Sequence, residues 1–278
     1  LRVGRVVPRQ VSFSIFGLYE SLRPFRFKIQ WDISNSAFLP YDSSAYLACE
    51  KGDWLLLRQL LAARKVGISD TTVYGDTLLH IAARANHYDM VKELVRAGVP
   101  VNAENDFGRT PLHMAVRHDR GYEVSQCLLG SGADLGHQDI AGRTPLHYFF
   151  GETSQQLIQY HQEDLDNTIQ DDEGMSIAHY VAWTKSSKLI DIHRCLHADP
   201  ASLSNTDEEG RTVLHLALQR GNLQVIGYLL NHPDTNAFRP DWRGRTLLHY
   251  ATESRRTQTI DILLERGFIL RAADLEGR

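Results

Sequence analysis

The stretch Gly108-Arg109-Thr110-Pro111-Leu112-His113-Met114-Ala115 decides the fold, because its pattern recurs along the 278-residue chain. In six regularly spaced copies of the pattern, a histidine stands five residues after the glycine. The glycines are Gly75, Gly108, Gly142, Gly174, Gly210 and Gly244, and the histidines are His80, His113, His147, His179, His215 and His249. A seventh glycine, Gly277, keeps the rhythm, with gaps of 33, 34, 32, 36, 34 and 33 residues. A fixed period of this length is typical of stacked supersecondary units.

Each unit begins with a polar turn, as at 105–108. Glycine suits a tight turn that needs positive φ, and Asp or Asn can hydrogen-bond the local backbone there. Two residues later comes a hydroxyl residue, the type that caps a helix N-terminus. These residues are Thr77, Thr110, Thr144, Ser176, Thr212 and Thr246. A second helix has apolar residues at helical spacing, as in 90–95, and a glycine such as Gly98 follows it. Turn, helix, connector and helix are therefore predicted for every unit.

These motifs resemble the ankyrin repeat, whose signature is a turn and a glycine followed by Thr-Pro-Leu-His-x-Ala. The resemblance implies an all-α solenoid, an ankyrin-repeat stack of helix-turn-helix units with β-turn fingers. It divides 43–278 into a cap repeat at 43–71, six repeats at 72–273 and the truncated start of another at 274–278. It also implies that Thr110 with His113, and equivalent pairs, hydrogen-bond within the turn and toward the adjacent repeat. The six histidines are thereby given structural roles.

Two units depart from the pattern, and we expect them to be the most distorted. The unit that begins at Gly142 has bulky residues at 148–150 where small ones are usual, and the unit that begins at Gly174 is stretched through 199–201. This irregular middle is similar to the ankyrin arrays of filamentous-fungal proteins. Such arrays often lie C-terminal to another domain, such as a nucleotide-binding signalling module.

Residues 1–42 have a different pattern, in which apolar residues alternate with polar ones at 11–15 and 25–31. Strict alternation predicts half-buried strands, with a turn at 20–24. We expect a short β-hairpin that serves as a cap or linker; a strand that pairs with another copy is the alternative.

Composition excludes several function classes. The 30 basic residues against 34 acidic ones show no signature of nucleic-acid binding, and no apolar run is long enough to span a membrane. Three widely spaced cysteines, Cys49, Cys127 and Cys195, predict reduced thiols and an intracellular protein, most simply cytoplasmic, with the nucleus as the alternative. The chain begins with Leu1 and stops within a repeat, which suggests a piece of a longer protein.

The sequence contains no phosphate-binding glycine loop and no Gly-x-Ser-x-Gly motif. His193 and His197 would share a helix face while Cys195 points away, which is too few ligands for zinc. The acidic turn residues at 171–173 are expected to be solvated and not to bind calcium. We therefore predict no enzymatic activity, no cofactor and no metal site.

The leading hypothesis is a protein-binding scaffold, because stacked repeats form an extended concave face. Partners should contact the turn tips and the ends of the first helices. We expect exposed aromatic residues and arginines there, and these residue types often contribute most of the binding energy of an interface. These residues are Tyr74, Phe107, Trp242 and Arg243 on the tips, and Arg84, Arg117, His118, Trp183, Gln219, Arg220, Glu253 and Arg255 on the helices. The alternative is a regulatory or sensing array within a larger fungal signalling protein, a nucleotide-binding receptor or an enzyme.

Overall fold

The computed structural model describes residues 38–118, 120–148, 152–161, 166, 168–184, 188–198, 200–254, 257–268, 274–275 and 277. The chain divides into two compact units, 1–35 and 36–278, and the second contains the helices described below. The hairpin predicted for 1–42 falls, up to residue 37, outside the described residues. Within the described ranges, no helix combines the length and the apolar character needed to cross a bilayer.

Helices come in pairs along the second unit, as the repeat predicts. The pairs are α1 (Ser44–Lys51) with α2 (Trp54–Ala62), α3 (Leu78–Arg84) with α4 (Tyr88–Arg96), α5 (Pro111–Val116) with α6 (Tyr122–Leu129), a 3-10 helix (Pro145–His147) with α7 (Glu152–Tyr160), α8 (Ile177–Trp183) with α9 (Leu189–Ala198), α10 (Val213–Arg220) with α11 (Leu223–Asn231), and α12 (Leu247–Glu253) with α13 (Thr257–Glu265). All six predicted hydroxyl residues occupy the N-cap of the first helix.

Each first helix packs on the first helix of the next pair, from α1 through α3, α5, the 3-10 helix, α8 and α10 to α12. The second helices form another row, from α2 through α4, α6, α7 and α9 to α11. Small residues such as Ala82 and Ala115 are fully buried in the first row, and Leu94 and Leu128 in the second. All belong to one continuous core, because no pair could bury its apolar face alone.

The two irregular units are the ones that the sequence singled out. In the unit that begins at Gly142 the first helix is a single 3-10 turn, Pro145–His147, and the chain leaves helical geometry at Tyr148 with ψ of 45°. The unit that begins at Gly174 contains an extra 3-10 helix, Pro200–Ser204, after α9. The additional residues of that unit are therefore accommodated behind the second helix.

Backbone hydrogen bonds join the turns of successive repeats into a ladder. The Asp106 amide donates to the Tyr74 carbonyl at 2.9 Å, and the Ile140 amide donates to the Phe107 carbonyl at 3.0 Å. The same bond continues from Asp172 to Ala141, from Glu208 to Glu173, from Trp242 to Glu209 and from Leu275 to Arg243. We call the turns at 72–75, 105–108, 139–142, 171–174, 207–210 and 241–244 the turn row.

Glycine is required in this row for two separate reasons. Gly108 has φ of +68°, a left-handed conformation that residues with a Cβ atom rarely adopt. A Cβ atom at Gly108 would also lie 3.0 Å from the Ile140 backbone nitrogen of the next turn. A side chain at Gly108 would therefore push against the backbone that forms the ladder.

Gly108→Ala is therefore expected to lower the free energy of unfolding by about 2–4 kcal/mol, from φ strain together with the clash against the ladder. Gly98→Ala is the matched control: Gly98 has φ of +89°, but a Cβ atom there meets no atom within 4 Å. The control should lose only about 1 kcal/mol, from the φ term. Urea unfolding measures both, and equal losses would contradict the close approach between turns.

Candidate functional site

A threonine and a histidine fix the geometry of each turn. The Thr110 amide donates to Nδ1 of His113 at 3.1 Å, and Thr110 Oγ1 lies 2.9 Å from the same nitrogen. Because Nδ1 accepts the amide hydrogen, the ring proton of the neutral histidine is on Nε2. Nε2 lies 3.1 Å from the Arg143 carbonyl oxygen of the next repeat and donates to it. The expected bonds within the turn and to the adjacent repeat are thus confirmed.

The bond to the next repeat recurs in most of the stack. The Nε2 to carbonyl distances are 2.8 Å for His80 and Arg109, 3.1 Å for His147 and Met175, and 3.3 Å for His179 and Arg211. In His215, Nε2 is buried without a hydrogen-bond partner. There the edge-to-face contact with Tyr250, with ring centroids 5.0 Å apart, joins the two repeats.

Burial keeps these rings neutral. It lowers the pKa of His113, His179 and His215 to about 4, and carbonyl bonds and nearby carboxylates only partly oppose it. An imidazolium would lose its Nδ1 acceptor, so protonation breaks the bond from the threonine amide. The histidines are structural residues of the turn row.

Buried carboxylates complete the turns. Asp139 Oδ1 accepts the Ala141 and Arg143 amides at 2.9 and 3.0 Å, and its Oδ2 accepts the Tyr148 hydroxyl at 2.6 Å. Although burial alone would raise the pKa of Asp139, the Tyr148 hydroxyl and these two amides lower it below its usual range. Asp241 repeats the arrangement with Tyr250 at 2.6 Å. The turns are thus held as rigid loops that carry a fixed charge.

The sequence patterns had not indicated a structural role for the tyrosines in these pairs. Tyr148, Tyr180 and Tyr250 each follow the histidine of their own unit, and the His-Tyr dipeptide in three units was the available signal. Each ring packs edge-on against the histidine of the preceding repeat, as Tyr148 does against His113 with centroids 5.9 Å apart. The bulky residue at this position therefore bridges two repeats.

Side chains on the tips point away from this rigid frame. Tyr74 and Phe107 are exposed, with ring centroids 5.9 Å apart. Trp242 is 65% exposed, its indole lies over Gly210, and Arg243 beside it is exposed. The four predicted tip residues thus form two groups at different positions along the row.

The predicted residues at the first-helix ends are arranged in contacting pairs. The Arg220 guanidinium stacks on Trp183 from the neighbouring repeat, 3.6 Å from the ring centroid. Gln219 Nε2 donates to Glu253 Oε2 at 3.3 Å. Trp183, Gln219 and Arg220 are half-buried as a result, and so are less exposed than the sequence suggested. These contacts hold the side chains in defined orientations.

The remaining predicted residues lie apart from those pairs. Arg84 donates to the Tyr46 hydroxyl at 2.7 Å and to Asp76 at 3.4 Å. The half-buried ring of His118 accepts the Arg120 amide at 3.2 Å, so it is less exposed than expected. Arg117 is exposed and lies over Tyr148. Arg255 falls outside the described residues.

The part of the chain that the structure describes contains no group of three or more potential metal ligands. Cys49, Cys127 and Cys195 are free thiols, and burial raises the pKa of Cys49 and Cys195 to about 12. Those two thiols are therefore protonated at neutral pH, which makes them poor nucleophiles.

A family model described as ankyrin repeats (3 copies) matches residues 45–139 and 188–274, more than half of the chain. The chain belongs to the ankyrin-repeat family. Rabankyrin-5 of Homo sapiens is 28% identical over 190 residues, which are 60% of this chain and 16% of that protein. NF-kappa-B inhibitor zeta of Homo sapiens is 27% identical over 225 residues, 74% of this chain and 29% of that protein. The chain therefore spans less than a third of the length of either relative.

The crystal structure of the ankyrin repeat domain of Bcl-3 is similar to this fold, with a TM-score of 0.62 and 24% identity. The match covers 80% of this chain and 98% of that domain. It confirms the all-α ankyrin solenoid. Ankyrin repeats are protein-interaction modules, and the likeness to filamentous-fungal arrays stays a prediction.

His113→Ala is expected to lower the free energy of unfolding by about 1–3 kcal/mol, because it leaves the Thr110 amide and the Arg143 carbonyl without their partner. His232→Ala is the control. His232 directly follows α11, and its Nδ1 lies 3.8 Å from Oδ2 of the exposed residue Asp234. The control should change stability by less than about 0.5 kcal/mol. An unchanged urea midpoint for His113→Ala would refute the bridging role.

The free energy of unfolding should also decrease when the pH is lowered. Unfolded histidines take up protons below their ordinary pKa of 6.5, whereas the buried rings stay neutral until about pH 4. Between these values the unfolded state binds more protons, so the free energy of unfolding decreases as the pH falls. At pH 5 each such ring should remove about 2 kcal/mol relative to pH 7. Urea midpoints at both pH values measure the loss, and His113→Ala should reduce it; equal midpoints at pH 7 and 5 would contradict the neutral buried rings.

Proposed function

We propose that this array is a scaffold that binds a partner protein on the concave face made by the turn row and the inner helix ends, and that it has no chemistry of its own. The inner helix ends are Arg84, Arg117, Trp183, Gln219, Arg220 and Glu253. The observation that supports this proposal is a rigid backbone whose equivalent positions carry basic, aromatic, polar and acidic side chains in different repeats. Nine residues after the repeat glycine stand Arg84, Arg117, Trp183, Gln219 and Glu253.

Rigidity favours binding, because a surface that is already ordered loses little conformational entropy when a partner docks. The ladder and the Thr–His bonds fix the backbone of the turns. Stacking of Arg220 on Trp183 restricts two long side chains. Aromatic residues and arginines held in this way are typical anchors of protein interfaces.

Charge changes sign along the turn row. Exposed Asp172, Glu173 and Glu208 make its middle acidic, whereas exposed Arg243 makes its end basic. A partner with the complementary order of charges would be steered into one register. The relative named as an NF-kappa-B inhibitor supports a protein as the partner. The balanced overall charge favours neither nucleic acid nor membrane as a partner, and the free thiols favour an intracellular location.

A second candidate function is regulation of a signalling domain carried by the same polypeptide. It is favoured by the lengths of the relatives, since this chain covers only 16% of Rabankyrin-5 and 29% of NF-kappa-B inhibitor zeta. The complete reading frame decides between the candidates: a nucleotide-binding or catalytic signature elsewhere supports regulation in cis, and a frame without one removes it.

Trp242→Ala combined with Arg243→Ala should weaken binding of a captured partner by at least about tenfold, because both exposed side chains lie at one tip. Thermal unfolding should be unchanged, since Trp242 is 65% exposed. Tyr160→Ala is the control, an aromatic of similar exposure at the end of the second helix α7. The partner is identified by affinity capture and titrated against the purified variants; unaltered affinity of the double variant would exclude this end of the row.

A further inference from the structure

Three guanidinium groups gather around one tyrosine ring between the second and third glycine-led repeats. The guanidinium carbons of Arg109, Arg117 and Arg143 lie 5.5, 5.5 and 5.0 Å from the centroid of Tyr148. The ring itself is only 5% exposed. We call these four residues the arginine cluster.

The positive charge of this cluster is incompletely neutralised. Asp139 Oδ2 lies 3.5 Å from Arg109 Nε and 3.3 Å from one terminal nitrogen of Arg143, so these two cations share one oxygen. Arg117 is exposed, and its side chain forms neither a hydrogen bond nor an ion pair with any described residue. Three cations therefore face one carboxylate, and Nε of Arg143 is buried without a hydrogen-bond partner.

The equivalent positions around Tyr180 and Tyr250 lack this excess. Around Tyr250, the Arg245 guanidinium lies against three carboxylates, those of Asp241, Glu209 and Glu253. The Tyr180 hydroxyl donates to Asp171 at 2.7 Å. Met175 stands there in place of the arginine that follows the repeat glycine in the other two units. The charge excess belongs to one repeat boundary and is no general property of the fold.

We propose that the arginine cluster binds a phosphoryl group on a phosphorylated side chain of the partner protein. This inference rests on the proposed scaffold function. A phosphorylated side chain has a charge of about −1.5 to −2 at neutral pH and three acceptor oxygens, which match two excess cations and their free N–H groups. A single carboxylate would leave one excess cation. Guanidinium groups also match phosphate geometry, because their N–H donors form a planar fork.

Arginine side-chain NMR tests the site without a known partner. The probes are N-acetyl methylamides of phosphoserine and phosphotyrosine, the matching glutamate derivative, and inorganic phosphate. We expect the Nε–Hε signals of Arg117 and Arg143 to shift and saturate with the phosphorylated probes, at least about tenfold more tightly than with glutamate. The Arg84 and Arg245 signals should not shift.

Arg117→Gln is expected to weaken binding of the phosphorylated probe by at least about tenfold, because it removes the most exposed cation. Arg84→Gln, at the same position of the preceding repeat, is the control and should have no effect. Equal shifts of all arginines, no saturable shift, or inorganic phosphate binding as tightly as the phosphorylated amino acids would each overturn the proposal.

Partner capture separates this proposal from the scaffold function. Phosphatase treatment of the captured partner should weaken its binding to the wild-type array by at least about tenfold and should weaken its binding to Arg117→Gln by a smaller factor. A partner retained equally after phosphatase treatment would leave the scaffold in place and refute the phosphoryl site. Capture of no partner would count against the scaffold, and the NMR titration would then decide the phosphoryl site alone.

Discussion

The structure depends on a hydrogen bond that four successive repeats each make to the next through a neutral histidine. Its Nδ1 accepts from its own turn and its Nε2 donates to the following turn, so one ring orients two repeats at once. Such a bond stabilises the fold most in a buried site, because the donor and the acceptor would otherwise both lack a hydrogen-bond partner there. A single repeat cannot form it, and this makes the folding of neighbours interdependent.

From this constraint follows the division between frame and surface. Glycines, threonines, histidines and turn aspartates hold the turn row, and the side chains of most of the capping threonines and of most of the histidines are buried, as are Asp139 and Asp241. The tips and inner helix ends are then free to differ between repeats, as Arg117, Trp183 and Glu253 do at equivalent positions. One fold can in this way present an aromatic, a basic or an acidic side chain at the same position of the scaffold.

Local patterns predicted the fold well. The hydroxyl caps, the helix pairs and the irregular units at Gly142 and Gly174 follow from residues a few positions apart, whose spacing is fixed by helix and turn geometry. The bond from His113 to the next repeat came from the family resemblance, because no local rule places a carbonyl 30 residues away beside a given ring.

Contacts between repeats account for what was not predicted. Tyr148 interrupts the expected run of small residues, yet its burial depends on His113 and Asp139, which meet it only after stacking. Arg220 and Trp183 likewise come from different repeats, and they stack on each other only in the folded array. The sequence alone therefore suggested that both side chains are more exposed than they are. The arginine cluster has the same origin, since its members come from two repeats.

The central claim is that neutral histidines bridge successive repeats, and nitrogen-15 NMR of the imidazole rings tests it most directly. At pH 6 the account predicts that His113 and His179 have the neutral form, and that these two rings together with His80 and His147 have the proton on Nε2 when neutral. Scalar coupling from that N–H to the carbonyl carbon of the next repeat should also be detectable. Protonation of His113 or His179 at pH 6, or a neutral ring among these four with the proton on Nδ1, would contradict the account.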